Sequence, residues 1–244
     1  MKLLVSVRNA DEARAAVAGG ADWIDLKEPA AGALGAVSEV VARGAVNAIE
    51  KGCLNSAALG ELIDWPKSSA LLAIPEIAVV KLGLAKCGQF DDWTSHWDAA
   101  FEICSRHGKQ LAGVIYADWQ NAAAPQPEAV LRCILRAGAK YLLIDTFDKQ
   151  GLSSIEIWGW EYLTHLLRLA QQGGLTTVLA GRLHLNDLSR VVQLPVDIVA
   201  VRGAVCTADR NSPVDPAKIR CFRQGLEIGS DSAKELNSCL TTRG

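Results

Sequence analysis

Eight short aliphatic or β-branched runs alternate with longer stretches of helical spacing, and this alternation constrains the fold more than any other feature of the chain. The runs occupy residues 3–7, 23–27, 54–59, 77–82, 110–117, 141–146, 176–181 and 197–203. Helices are expected near 10–18, 37–50, 61–70, 92–107, 128–137, 154–172, 184–191 and 215–227; Trp65-Pro66 and Ile74-Pro75 interrupt the third unit. Asn9 or Asp11 suits the cap of the first helix, Gly19-Gly20 its end, and Asp215-Pro216 the start of the last. One helix after each of eight strands, over 244 residues, predicts an α/β (β/α)8 TIM barrel. An open doubly wound sheet is the competitor, but it calls for a glycine-rich phosphate turn after the first strand. The turn here, VRNADEA, contains no glycine. A single barrel domain is therefore expected over 1–227, with a Ser/Thr-bearing tail, 228–244, outside it.

Half of the residues are hydrophobic, enough to fill such a core and to exclude disorder as the main state. The 25 basic and 27 acidic residues nearly cancel, so nothing in the charge points to nucleic acid or an anionic membrane as partner. No apolar run reaches the roughly 18 residues that span a bilayer. Only five apolar residues precede Arg8, too few for a signal-peptide core, so a cytoplasmic location is expected. Seven cysteines without a C-x-x-C pair read as reduced, mostly buried thiols, and the four histidines show no ligand spacing. Neither a metal nor an organic cofactor is expected. The partner class is a small-molecule substrate, and a homo-oligomer remains compatible with the composition.

In a barrel of this kind, inward positions at the C-terminal ends of strands point into the active-site mouth. In Trp23-Ile24-Asp25-Leu26-Lys27, period-two alternation puts Asp25 and Lys27 on one face and the aliphatic pair on the other. Lys81, Asp145 and Arg202 close the fourth, sixth and eighth runs. Singly, each has an ordinary reading as a loop entry, and Asp25 with Lys27 as a structural ion pair. Together they matter more, because charges are expensive to bury and converge only when they compensate one another. The set suits imine chemistry. A lysine attacks a carbonyl only as the free amine, and burial beside a second ammonium favours that form. Asp25 and Asp145 are candidate proton-transfer groups, and Lys149 lies four residues beyond Asp145.

Loops after the seventh and eighth strands of such barrels often hold phosphate. Here they read Ala180-Gly181-Arg182 and Arg202-Gly203-Ala204-Val205, with glycines that admit close approach and an arginine beside each. The segment Glu28–Gly35 reads equally as a mobile active-site loop or as a plain connection.

The blocks LLVSVRNADEARAAVAGGADWIDLKEPAAGALGA, VVKLGL, YLLIDTFDKQG, VLAGRL and VRGAVCTADRN resemble, in this order, those of the (5-formylfuran-3-yl)methyl phosphate synthases. The resemblance spans nearly the whole chain and departs most in 53–76 and at Trp93, Trp97, Trp119, Trp158 and Trp160. It implies a carbon–oxygen lyase that joins two glyceraldehyde 3-phosphate molecules into a furan aldehyde phosphate, with loss of phosphate and water, for methanofuran-type cofactors. By resemblance, Lys27 is the Schiff-base lysine and Lys81 the proton acceptor, with Asp25, Asp145 and Lys149 in active-site blocks. A class I aldolase for another sugar phosphate, or a barrel that binds a phosphometabolite without turnover, stands as the alternative.

Overall fold

The computed structural model describes residues 1–49 and 53–241. Eight parallel strands close a barrel in sequence order: β1 (Lys2–Val7), β2 (Trp23–Leu26), β3 (Leu54–Glu61), β4 (Ile77–Gly83), β5 (Gln110–Tyr116), β6 (Tyr141–Asp145), β7 (Thr176–Leu179) and β8 (Ile198–Val201). Around it lie α1 (Ala10–Ala18), α2 (Glu39–Asn47), α3 (Trp93–Arg106), α4 (Pro127–Arg136), α5 (Ser154–Gln172), α6 (Leu188–Val191) and α7 (Pro216–Thr241). None of the described helices is long and apolar enough to cross a membrane.

Strand alternation sorts the side chains. Val5, Ile24, Val80, Leu142 and Val199 face the helices and are buried with them. Leu4, Trp23, Val79, Ala112, Leu143, Val178 and Ile198 fill the interior. Leu4 pairs in register with Trp23, and two residues on, Ser6 pairs with Asp25, which pairs with Ser56. Hydrocarbon thus plugs one end, and the polar layer begins one side-chain step higher.

Local signals account for most helices. The Asn9 side chain accepts from the Glu12 N–H at 3.0 Å, Ser153 and Glu156 form a reciprocal capping box on α5, and Asp215 accepts from Ala217 N at 2.7 Å. Three units differ from the sequence expectation. No α-helix forms over 61–70: β3 runs on to Glu61, and short 3₁₀ turns at 62–64 and 69–73 follow. Pro66 and Pro75 remove N–H donors there, and the segment is anchored instead by buried Leu71, Leu72 and Ile74. Lys109 helps by donating to the Ile74 carbonyl at 2.6 Å. The helix expected over 184–191 is a 3₁₀ turn followed by the single turn of α6. The last helix, expected to end at 227, continues to Thr241. Burial of Cys87, Cys104, Cys133 and Cys206 matches the thiol reading, whereas Cys221 is exposed and the Cys239 side chain lies outside the described residues.

A buried ion pair ties β8 to the start of α1 across the β1–β8 seam. Arg202 meets Glu12 through two N–H groups, at 2.7 and 3.2 Å, and donates a further bond to the Ser6 carbonyl at 2.8 Å. Burial opposes ionisation of Glu12, but Arg202 and the Arg8 bonds outweigh it and hold the carboxyl below its ordinary 4.5. This contribution is full above that value and is lost as the pH falls through the lower folded-state value. Glu12→Gln should cost about 3 kcal/mol at neutral pH by leaving a buried guanidinium unpaired. In urea unfolding, the gap between wild type and variant should narrow as the pH falls from roughly 5 to 3.

Candidate active site

Lys27, Asp145 and Ser6 line both of two connected spaces at the C-terminal end of the barrel. The deeper is about 30 Å³, with Asp25, Ser56 and Lys81 also on its wall; the wider, above it, is about 520 Å³. Sequence alternation placed Asp25, Lys27, Lys81 and Asp145 inward, and all four are buried there.

Asp25 is the anchor of the deep end. Its carboxylate accepts from Ser6 Oγ at 3.0 Å and Ser56 Oγ at 2.7 Å, and it also takes a short bond from Lys81 Nζ. Both serines point inward, and strand register sets one on each side of Asp25. Burial pulls the Lys81 amine below the ordinary lysine range; Asp25 pulls it back, and the Lys27 charge reinforces the lowering.

Asp145 organises the upper end. It lies 3.5 Å from Lys27 Nζ and accepts from Lys149 Nζ at 2.6 Å and from Thr146 N at 2.8 Å. Burial opposes its ionisation, but the ammonium groups of Lys149 and Lys27 prevail and hold it near 2. Burial brings Lys149 down to about 8 against the pull of Asp145, with the Lys27 charge adding to the fall. The loop that carries Lys149 is held from two sides. Asp118 accepts from Phe147 N and Asp148 N at 2.7 and 2.8 Å, and Arg182 donates to the Lys149 carbonyl. Beside this cluster, Tyr116 donates to Glu61 at 2.7 Å, and burial raises the Glu61 carboxyl. Tyr116 stands in register with Asp145, and Glu61 closes β3. The apolar-to-polar change in the third unit hid that acid from the strand pattern.

Gly181, Arg182, Gly203 and Ala204 all line the wider cavity. Gly181 has φ +93, and a Cβ there would stand 3.0 Å from Ser154 and Thr146 carbons, so glycine is required. Arg182 itself sits at φ +57, a conformation that non-glycine residues seldom hold. Arg202 departs from expectation. Besides Glu12 and the Ser6 carbonyl, it donates to the carbonyls of Arg210 at 2.7 Å and Ser212 at 3.2 Å. All five N–H groups are thereby used inside the chain, and the guanidinium braces the loop after β8. Arg210, which strand-end reasoning passed over because it lies eight residues into that loop, reaches the cavity instead. The 28–35 segment is a closed turn: Glu28 N donates to Gly35 O at 2.8 Å, and Ala30 N donates to the Glu28 carboxylate. Among the described residues there is no group of three or more His, Cys, Asp or Glu that would hold a metal ion.

Solved structures with this architecture include phosphoribosyl anthranilate isomerase from Thermus thermophilus, with TM-score 0.62, 15% identity and coverage of 93% of this chain and 99% of that one. Another is 3-hexulose-6-phosphate synthase from Salmonella typhimurium, with TM-score 0.58, 19% identity and coverage of 94% and 100%. At that identity they establish the barrel alone. Sequence relatives go further. The 4-HFC-P synthase family model matches residues 3–223. The (5-formylfuran-3-yl)methyl phosphate synthase of Methanosarcina barkeri is 32% identical over 223 residues, covering 88% of this chain and 94% of that protein. The protein of the same name from Archaeoglobus fulgidus is 30% identical over 224 residues, with the same coverage. With the barrel and its charged mouth in place, these matches establish that the chain belongs to the (5-formylfuran-3-yl)methyl phosphate synthase family.

Proposed function

We propose that the protein is a cytoplasmic, Schiff-base-forming lyase that converts two glyceraldehyde 3-phosphate molecules into (5-formylfuran-3-yl)methyl phosphate, inorganic phosphate and two waters, toward methanofuran-type cofactors. The observation that carries this reading is the convergence of Lys27, which directly follows β2, and Lys81, from β4, on one small buried space. A phosphate-binding barrel without turnover has no use for two enclosed amines, since each is costly to desolvate.

In this reading, Lys27 Nζ attacks the carbonyl carbon of one triose phosphate, and water leaves as the iminium forms. The iminium acidifies the adjacent C–H, and Lys81, held by Asp25 and softened by burial, takes that proton. The resulting enamine serves both remaining tasks: expulsion of phosphate, with the C–O electron pair leaving on oxygen, and attack, through the carbon that lost phosphate, on the C2 carbonyl of the second triose phosphate in its isomeric ketose form. Ring closure by the terminal hydroxyl with loss of two waters makes the furan, and hydrolysis of the imine releases the aldehyde and the Lys27 amine, so the sequence of steps is redox-neutral with two waters lost in all. Asp145 bridges Lys27 and Lys149 and so offers a path for protons between imine and leaving groups. Gly181, Arg182, Gly203 and Ala204, in the cavity that Lys27 and Lys149 also line, suit a substrate phosphate.

Incubation with glyceraldehyde 3-phosphate should release phosphate and generate near-ultraviolet absorbance; a non-aromatic adduct without phosphate would point to a simple aldolase and sink the proposal. Borohydride added during turnover should leave a stable mass increase on the Lys27 peptide, and a label on any other lysine would refute the assignment. Lys81→Met should lower kcat about 10²–10⁴-fold. With Lys149 acting as an acid, kcat/KM should fall as the pH rises through about 8, and Lys149→Met should lose that limb of the profile.

A further inference from the structure

The wider cavity contains a cation to which the preceding scheme gives no task. Arg210 lines it from the loop between β8 and α7, half-buried. Its guanidinium makes one long hydrogen bond among the described residues, to the Gly32 carbonyl at 3.4 Å, and no ion pair. Burial lowers its affinity for its proton, so its solvation is poor as well as its bonding. A desolvated guanidinium with most of its five donors unspent is matched by an incoming oxyanion better than by anything else in the chain.

The loop under it is built to hold that position. The Arg210 carbonyl accepts from Arg202 Nε and the Ser212 carbonyl from Arg202 Nη2, and Arg202 is itself fastened to Glu12. Asp209 accepts from Asn211 N at 2.8 Å and Ser212 N at 3.0 Å, which closes the turn on itself. The side chain therefore projects from a preorganised turn whose contacts are made by its backbone. Lys149 is the neighbouring charge: Arg210 is one of the cations that lower its pKa. Asp145 attracts both cations but is already shared by Lys149 and Lys27, so the two like charges gain from a further anion between them.

We infer that Arg210 and Lys149 form a second phosphate subsite, distinct from the Gly181–Arg182 and Gly203–Ala204 backbone, which receives the phosphate that is expelled. The inference rests on the reading of the reaction given above, in which two phosphorylated substrates occupy one cavity and only one phosphate leaves. On departure, the C–O bond breaks with its electron pair on the phosphate oxygen. The proton lost from carbon goes to Lys81, and Lys149 lends its own proton to the leaving oxyanion. Arg210 supplies a fixed, bidentate charge that never titrates near neutrality.

Calorimetric titration of the unliganded protein with inorganic phosphate tests the subsite without needing turnover. Wild type should bind two phosphates per chain. Arg210→Gln should bind one, or bind the second about 10- to 100-fold more weakly, with Arg210→Lys in between. The same substitution should raise KM for glyceraldehyde 3-phosphate and weaken product inhibition by phosphate. Its borohydride trapping with unphosphorylated glyceraldehyde should stay at the wild-type rate, which shows an intact fold and amine. Unchanged phosphate stoichiometry and affinity in Arg210→Gln would overturn the inference. Absence of furan and of a Lys27 adduct in wild type would instead overturn the reaction, and the phosphate titration would still judge the subsite.

Discussion

Two carboxylates stand between three ammonium groups at the end of a barrel whose interior below them is filled with hydrocarbon, and this mutual compensation is what allows the site to exist. An isolated charge in such a place would neutralise or be expelled. Asp25 answers Lys81, while Asp145 answers both Lys27 and Lys149. Neither carboxylate satisfies its partners completely, and the remainder appears as lowered proton affinity on Lys81 and Lys149. The reactivity proposed for Lys81 and Lys149 is thus the visible residue of an imperfectly balanced buried charge set. Compensation that was complete would hold every lysine as an inert ammonium.

The rest of the molecule keeps that balance in place. The apolar plug beneath the site closes the lower end, so the polar layer has a floor and the charges meet in one small volume. Strands, the most rigid elements available, carry Asp25, Lys81 and Asp145. Lys149 and Arg210 sit on loops, and each loop is fastened by charged side chains acting on backbone: Asp118 and Arg182 for one, Arg202 for the other. Both devices place precise charges on segments that strand geometry alone would leave loose.

Arg202 illustrates how position and role separate. It ends β8 beside a glycine, where a phosphate ligand is expected, yet its fork is fully occupied by one carboxylate and three carbonyls. The cation that remains uncommitted is Arg210, which Arg202 supports from below. Two arginines on this face thus divide their donors: those of Arg202 are spent on structure, while Arg210 keeps most of its own unspent.

Period-two alternation within β2, β4 and β6, and the eightfold recurrence of strand and helix, determined the barrel and the inward charges from sequence alone, because both are local consequences of strand pleat and helical pitch. The same local rules failed over 61–76. There, no helical face forms, and tertiary burial of Leu71, Leu72 and Ile74 with a lysine anchor holds the segment. They were silent about Ser6, Ser56, Glu61 and Tyr116, whose roles arise from strand register between units far apart in sequence. The division between Arg202 and Arg210 was likewise decided only by the folded structure. Which of two arginines has donors to spare is a matter of what surrounds them, and Glu12, 190 residues away from Arg202 along the chain, becomes its partner only when the barrel closes.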